Sequence, residues 1–342
     1  MRVRLTLALL AAAIFICADG HAQQPQPPAP PPTPEVPYTS RQSIRQNVSL
    51  VDVLFSVLTK QNKIVANLNS ENFRVFDDEA PQEIRFFNRQ TNMPLRVGLL
   101  LDTSNSIRDR LKFEQQAAID FLYNVIRRDK DQAFLMTIDD EPEMVQGFTD
   151  DLDKLRDVIL KQRAGGGTAL YDAVYQGCEE LLKLPPAVGN DTDLRRVMVL
   201  ISDGDDNLSR HSRGEALDIA QRAGIVIYTI STSTNWILPD QEAHGDLSNR
   251  KYLKDEGDKV LQQFSDESGG RAFFPYRVDD LAQAFAYIGD ELRLQYSLAY
   301  VPTRAPDGKF HKIRIEVNSK GLQVRARRGY YATLPDKTAA AN

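Results

Sequence analysis

The sequence predicts an α/β fold: a doubly wound, mostly parallel sheet inserted between β-rich N- and C-terminal segments that can pair as a β-sandwich. Three observations predict it. LRVGLLL, VMVLIS and IVIYTIS are continuous apolar runs, suited to strands buried on both faces. Apolar residues at helical spacing follow each of them, and strands alternating with helices imply a parallel sheet covered on both sides. Alternating, β-branched segments with turn formers between them occur instead at the two ends of the chain. The 342 residues, 42% hydrophobic and 26% charged, suit one large or two smaller folded domains. A net charge of -5 argues against a nucleic-acid partner, whose binding needs clustered Lys and Arg, and against a polybasic membrane surface.

Residues 1–22 read as a secretory signal peptide: Arg2 and Arg4, an apolar run from Leu5 to Cys17, then Gly20-His21-Ala22. The run is too short to span a bilayer as a helix, for which roughly 20 apolar residues are needed. Whether it is cleaved or kept as an anchor stays open. The expected location is secreted, periplasmic or extracellular, with no transmembrane segment in the mature chain. Removing 1–22 leaves Cys178 as the single cysteine, so no disulfide forms within the chain.

Residues 23–44 form a linker whose Gln23–Pro37 stretch is a proline-rich, extended tether. In 45–92, VSLVDVLFSVLT, KIVANL and FRVFDDEAPQEIRFF read as about four strands, thin for an independent core. QYSLAYVP, KFHKIRIEV and LQVRARRGYYA in 295–333 supply similar material, and the two segments are expected to pair. Residues 334–342 read as a flexible tail.

The central domain, 93–294, begins with LRVGLLL. A helix with Leu111, Ala118, Leu122 and Val125 on one face follows. AFLMTID and EMVQGFT form a hairpin about Asp140-Glu141-Pro142. Leu170, Ala173, Val174, Gly177, Cys178, Leu181 and Leu182 make a helical stripe. VMVLIS precedes a helix near Arg213–Ala223, and IVIYTIS one around Val260–Phe264. RAFFPY is a fourth strand, before a helix carrying Leu281, Ala284, Phe285, Ile288 and Leu292.

In doubly wound sheets the ligand site lies beyond the carboxyl ends of the strands, where the winding reverses. LRVGLLL ends in Asp102-Thr103-Ser104-Asn105-Ser106, and VMVLIS in Asp203-Gly204-Asp205-Asp206. Between them, Gly165-Gly166-Gly167-Thr168 precedes a helix. Two carboxylates and three hydroxyls are hard oxygen donors, suited to Mg²⁺ or a similar cation and ill-suited to Zn²⁺. Alternate residues of Asp-x-Ser-x-Ser can face one ion, and three glycines let the backbone before Thr168 come close. Simpler readings exist for each fragment. Ser106-Ile107-Arg108-Asp109 is also a capping box, Thr168 can cap the next helix, and Asp203-Gly204 can be a turn.

These residues resemble the metal-ion-dependent adhesion site of a von Willebrand factor type A domain, over roughly Leu95–Leu294. The resemblance implies Asp102, Ser104, Ser106, Thr168 and Asp203 as the metal set, binding Mg²⁺ (or Mn²⁺ or Ca²⁺). It implies a non-enzymatic protein whose ion takes an Asp or Glu carboxylate from a protein partner. The β-rich flanks, with Gly329-Tyr330-Tyr331 near the end, resemble a secreted bacterial subgroup of such proteins. A structural or assembly role, in which the ion only rigidifies the loops, is the alternative within this fold.

A metal-dependent hydrolase is the enzyme alternative. Against it, the Gly-rich loop lacks a P-loop lysine, no Gly-x-Ser-x-Gly elbow occurs, and Asp102-Thr103-Ser104 lacks the second acid of a phosphatase-like site. His211, His244 and His311 form no zinc-type pair. Cys178 reads as core packing. Asn47, Asn190 and Asn207 head glycosylation triplets that matter only if the source glycosylates. Asp205 and Asp206 read as solvated acids or as modifiers of the site's charge. Ser233–Lys251, with the lone tryptophan Trp236, is a candidate partner contact.

Overall fold

A computed structural model describes residues 50–90, 93–183, 194–233, 236–237, 251–252, 254–275 and 278–332. The expected signal, linker and tail, Asn47, Asn190, His244 and most of the Ser233–Lys251 loop lie outside the described residues. The chain opens with strands β1 (Val51–Thr59), β2 (Phe73–Asp77), β3 (Ala80–Gln82) and β4 (Ile84–Gln90). The central part runs β5 (Leu95–Asp102), α1 (Leu111–Val125), β6 (Gln132–Ile138), β7 (Glu143–Thr149), α2 (Leu152–Lys161) and α3 (Leu170–Lys183). It continues with β8 (Arg195–Ser202), α4 (Arg213–Ala223), β9 (Val226–Ser231), β10 (Trp236–Ile237) and β11 (Lys251–Tyr252). After them come α5 (Glu256–Ser268), β12 (Ala272–Phe273) and α6 (Val278–Arg293). Strands β13 (Gln295–Tyr300), β14 (Phe310–Val317), β15 (Leu322–Ala326) and β16 (Gly329–Tyr331) close the described chain.

The central sheet has the order β12-β9-β8-β5-β6-β7. All its pairings are parallel except β6 with β7, the hairpin about residues 139–142. From β5 the chain winds outward through β6 and β7, then returns to β8 on the other side of β5. The winding therefore reverses between β5 and β8, and their carboxyl ends flank the crevice. Alternation along β5 sends Leu95, Val97, Leu99 and Leu101 into a core with α1, α2 and α6. Leu100, with Met198 and Leu200 of β8, enters the opposite core against α3, α4 and α5. Burying each such Leu contributes about 1.5–3 kcal/mol, so the strands that carry the loops are rigid supports. No helix among the described residues is long and apolar enough to cross a membrane.

The flanking strands form two antiparallel sheets, β15-β1-β13-β4 and β16-β14-β2-β3, each mixing strands from both ends of the chain. Val53 pairs with Leu298 in the first and Val75 with Ile315 in the second. Their inner faces share one core, where Phe55 meets Phe73 edge to face at 5.0 Å and stacks on Tyr296 at 5.4 Å. This is the β-sandwich that the two ends were expected to build.

KIVANL forms no strand and makes only a bridge between Ile64 and Leu58. The Tyr296 hydroxyl pins the segment instead, donating to the Val65 carbonyl and accepting from the Leu68 N–H, both at 3.0 Å. Gly329-Tyr330-Tyr331 has three separate tasks. A Cβ on Gly329 would stand 2.2 Å from the His311 carbonyl oxygen. The Tyr330 hydroxyl donates to buried Asp77 at 2.9 Å. Tyr331 reaches α4, donating to Asp218 at 2.6 Å beneath the Arg222 guanidinium.

Candidate metal centre

Asp102 is the last residue of β5 and is fully buried. Its Oδ1 accepts the Ser104 N–H at 2.9 Å, and its Oδ2 accepts the Ser202 hydroxyl at 2.6 Å. The Ser104 and Ser106 hydroxyls lie 3.0 Å apart, and Ser106 donates to Asp203 Oδ2 at 2.6 Å. Four of the five residues singled out in the sequence thus form one connected set spanning the crevice between β5 and β8.

Thr168 enters through its backbone. The loop before it is tied to the Asp102 loop by Asn105 N–H to Gly166 O at 3.2 Å and Gly165 N–H to Thr103 O at 2.8 Å. The Thr168 N–H donates to the Asn207 side chain at 2.9 Å, and its carbonyl accepts from Asn207 and Leu208.

Ser106 lies in a single 3₁₀ turn, Asn105–Ile107, and α1 begins only at Leu111, so its hydroxyl faces Asp203 rather than capping a helix. At the start of α3, the Tyr171 and Asp172 amides are satisfied by the Ser209 hydroxyl, and Tyr171 also by Asp206. Thr168 does not serve them, and Asp206 caps a helix rather than standing free in solvent. Asp203-Gly204 does make a turn, with Asp203 Oδ1 accepting the Asp205 N–H at 3.1 Å while Oδ2 faces Ser106. Gly204 has φ +86°, and a Cβ there would meet the Gly257 carbonyl oxygen at 2.2 Å. Only glycine fits both constraints. Cys178 is wholly buried in the core beneath α3, and burial pushes its thiol pKa up. The backbone of Trp236 pairs with Tyr252, but the loop between them lies outside the described residues.

Two acids repel across this crevice. Burial pushes the Asp102 carboxyl up to about 6; the Ser202 hydroxyl works against that, and the Asp203 charge adds to it. A third acid, Glu114, is absent from the sequence expectations. It lies in the first turn of α1, wholly buried, and neither oxygen has a hydrogen-bond partner. Burial, then the Asp102 charge, raise its pKa well above the ordinary carboxylate range; Arg110 and the Thr232 hydroxyl pull it back, and Asp203 raises it further. A signal for it exists, since Glu114 falls on the apolar stripe between Leu111 and Ala118. Ser202, which fixes Asp102, carries no comparable signal inside an apolar strand.

Hard oxygen donors from two adjacent loops, in mutual contact beside a buried carboxylate whose charge Arg110 only partly offsets, fit a small divalent cation. Such a cation would offset repulsion that Arg110 relieves only in part.

Residues 97–205 match the family model of the von Willebrand factor type A domain, and the chain is a protein carrying a domain of that family. Among solved structures, it is similar to the conserved hypothetical protein BatB from Bacteroides thetaiotaomicron. The identity is 15% over 58% of this chain and 99% of that one, with a TM-score of 0.45. It is also similar to the vWF domain of a type V pili tip protein from Porphyromonas gingivalis, at 14% identity over 58% and 95% of the two chains, TM-score 0.43. A von Willebrand factor type A protein from Catenulispora acidiphila shares 10% identity over 83% of this chain and 74% of its own, TM-score 0.46. Among curated proteins, none matches the chain.

Proposed function

We propose that the protein is a secreted, non-enzymatic binding protein whose Asp102, Ser104, Ser106, Thr168 and Asp203 hold a divalent cation, Mg²⁺ first. The bound ion would supply an electrophilic position for a carboxylate from an Asp or Glu of a protein partner. The side chains of this protein hold and orient that position, and the surrounding loops select the partner. The observation that supports this reading most directly is the run of contacts from Ser104 through Ser106 to Asp203, which joins two strand ends that carry hard oxygen donors. Ser104 and Ser106 are neutral, so an ion held through hydroxyls keeps more of its charge for an outside acid.

A hydrolase would need a base beside the ion. His211 is committed elsewhere, with Nδ1 2.7 Å from Asp172 and its ring stacked on Tyr175 at 3.9 Å.

A pull-down from the native extracellular or periplasmic fraction, with Mg²⁺ and with EDTA, tests the reading. Partner capture is expected with Mg²⁺ and is lost with EDTA and in Asp102→Ala. Capture that persists in both defeats the proposal. Retained capture with a lowered melting temperature supports the structural-ion alternative.

A further inference from the structure

A second cluster lies in the β-sandwich, with no residue in common with the crevice. Asp77 and Asp78 end β2 and start the turn to β3, and His311 lies on β14. One carboxylate oxygen from each Asp and one imidazole nitrogen lie within 4.8 Å of one another. Asp77 Oδ2 accepts the Tyr300 and Tyr330 hydroxyls, at 3.1 and 2.9 Å. Its Oδ1 is buried with no hydrogen-bond partner, and the nearest cation, Arg304 Nη2, is 3.9 Å away. His311 is 4% exposed, with Nε2 2.8 Å from Asp307 Oδ1. Its Nδ1 lies 2.8 Å from Asp78 Oδ2 and 3.1 Å from Arg304 Nη1, which is itself 2.9 Å from Asp78 Oδ2.

Hydrogens on both ring nitrogens serve Asp78 and Asp307, and Arg304, that imidazolium and Lys309 face the three carboxylates. The group left unmet is Asp77 Oδ1, buried without a hydrogen bond. Asp78 and Glu79, with φ angles of 43° and 68°, are the two residues of the tight turn joining β2 to β3, which fixes where the Asp78 carboxylate starts.

We propose that Asp77, Asp78 and His311 bind a divalent transition-metal ion, Zn²⁺ first. One imidazole and two carboxylates are its ordinary donors, and its bonds to them are about 2.0–2.2 Å. The supporting groups suit the task. Asp307 accepts from Nε2–H and turns the Nδ1 lone pair toward the ion, as carboxylates behind metal-binding histidines commonly do, and the two tyrosines anchor the Asp77 ligand. Binding releases the Nδ1 proton to solvent where one is present. Arg304, 38% exposed, stands where the ion would lie and must turn outward. The site would tie β14 to the turn between β2 and β3, with Asp307 of the β13–β14 loop behind the imidazole.

The test is calorimetric titration of Zn²⁺ into full-length, EDTA-stripped protein carrying Asp102→Ala, with Mg²⁺ present, so that the crevice plays no part. One Zn²⁺ per chain is expected, with affinity lowered about 10–100-fold by Asp307→Asn. Arg304→Ala, which removes the resident cation from an exposed position, is expected to tighten binding and raise the melting temperature with Zn²⁺. Co²⁺ in place of Zn²⁺ should give a visible band that His311→Gln shifts or removes. Should His311→Gln fail to fold, Arg304→Ala decides: no Zn²⁺ binding there, or binding weaker than in the parent, overturns the proposal. Unchanged affinity in Asp307→Asn and in a folded His311→Gln overturns it equally, as an adventitious ion only.

Discussion

Glu114→Met separates an unpartnered buried carboxylate from one engaged by an ion. Glu114 is wholly buried on the apolar stripe of α1, with neither oxygen hydrogen-bonded and with Asp102 and Asp203 repelling its charge. Arg110 offsets part of this, but its Nη1 also donates to the Thr232 and Ser233 carbonyls at 3.0 Å. An unsatisfied buried polar group costs about 1–3 kcal/mol, and more when charged. Methionine keeps the length and the helix propensity and removes both oxygens. It forfeits an acid near a helix N-terminus, where one contributes about 0.3–1 kcal/mol. A net gain of about 1–2 kcal/mol is expected for the metal-free protein at about pH 8, read by urea unfolding in EDTA.

The sign of the pH dependence follows from the raised pKa. The folded state holds the Glu114 proton more tightly than the unfolded chain does, so ionisation destabilises wild type above the folded pKa. That penalty fades as pH falls through it, and the advantage of methionine shrinks toward about pH 5. Saturating Mg²⁺ should shrink it too, since a nearby cation relieves the same repulsion. If Glu114→Met loses stability in EDTA at every pH, the carboxylate has a favourable partner and this reasoning fails.

Gly204→Ala should cost about 1–2 kcal/mol for the left-handed φ and about 1–3 more for the clash with Gly257, measured by urea unfolding. Tyr331→Phe should cost about 0.5–1.5 kcal/mol by removing the bond to Asp218 while keeping the ring under Arg222, and a thermal melt reads it. The Cys178 thiol should react with a disulfide reagent only after denaturant is added, because burial both hides it and raises its pKa.

The central sheet was legible because its strands are apolar on both faces and its helices keep one stripe, patterns that report burial directly. Asp102 and Asp203 were legible because each ends such a run. The sandwich was readable as strand material, but KIVANL shows the limit: its β-branched residues satisfy the period, yet it bonds to β1 only through Lys63 and Val65, and the Tyr296 hydroxyl takes the Val65 carbonyl and the Leu68 N–H. Asp206, Asn207 and Ser209 serve helix and loop amides more than thirty positions away, contacts that no local period encodes. The Asp77, Asp78 and His311 group was hidden for the same reason, since about 230 residues separate its two halves and the whole central domain lies between them.

The choice between an ion that recruits a partner and an ion that merely stiffens loops turns on what already holds those loops. Thr103 N–H bonds the Ile138 carbonyl at 2.9 Å, extending the β5–β6 pairing past the strand ends. Thr232 N–H bonds Ser202 at 3.0 Å on the opposite side, and Ala169 N–H bonds Asp139 at 2.9 Å. Each loop carrying a proposed ligand is therefore braced by main-chain bonds from a neighbouring loop before any side chain is counted. Stiffening by an ion would add little to such a frame. Mutual repulsion among Asp102, Asp203 and Glu114 is relieved only in part, by Arg110, and relieving the rest takes charge rather than rigidity. On the proposed reading, a cation bound for its charge through neutral serines on one side would keep an attraction for one further anion, and recruitment would fit that charge better than reinforcement.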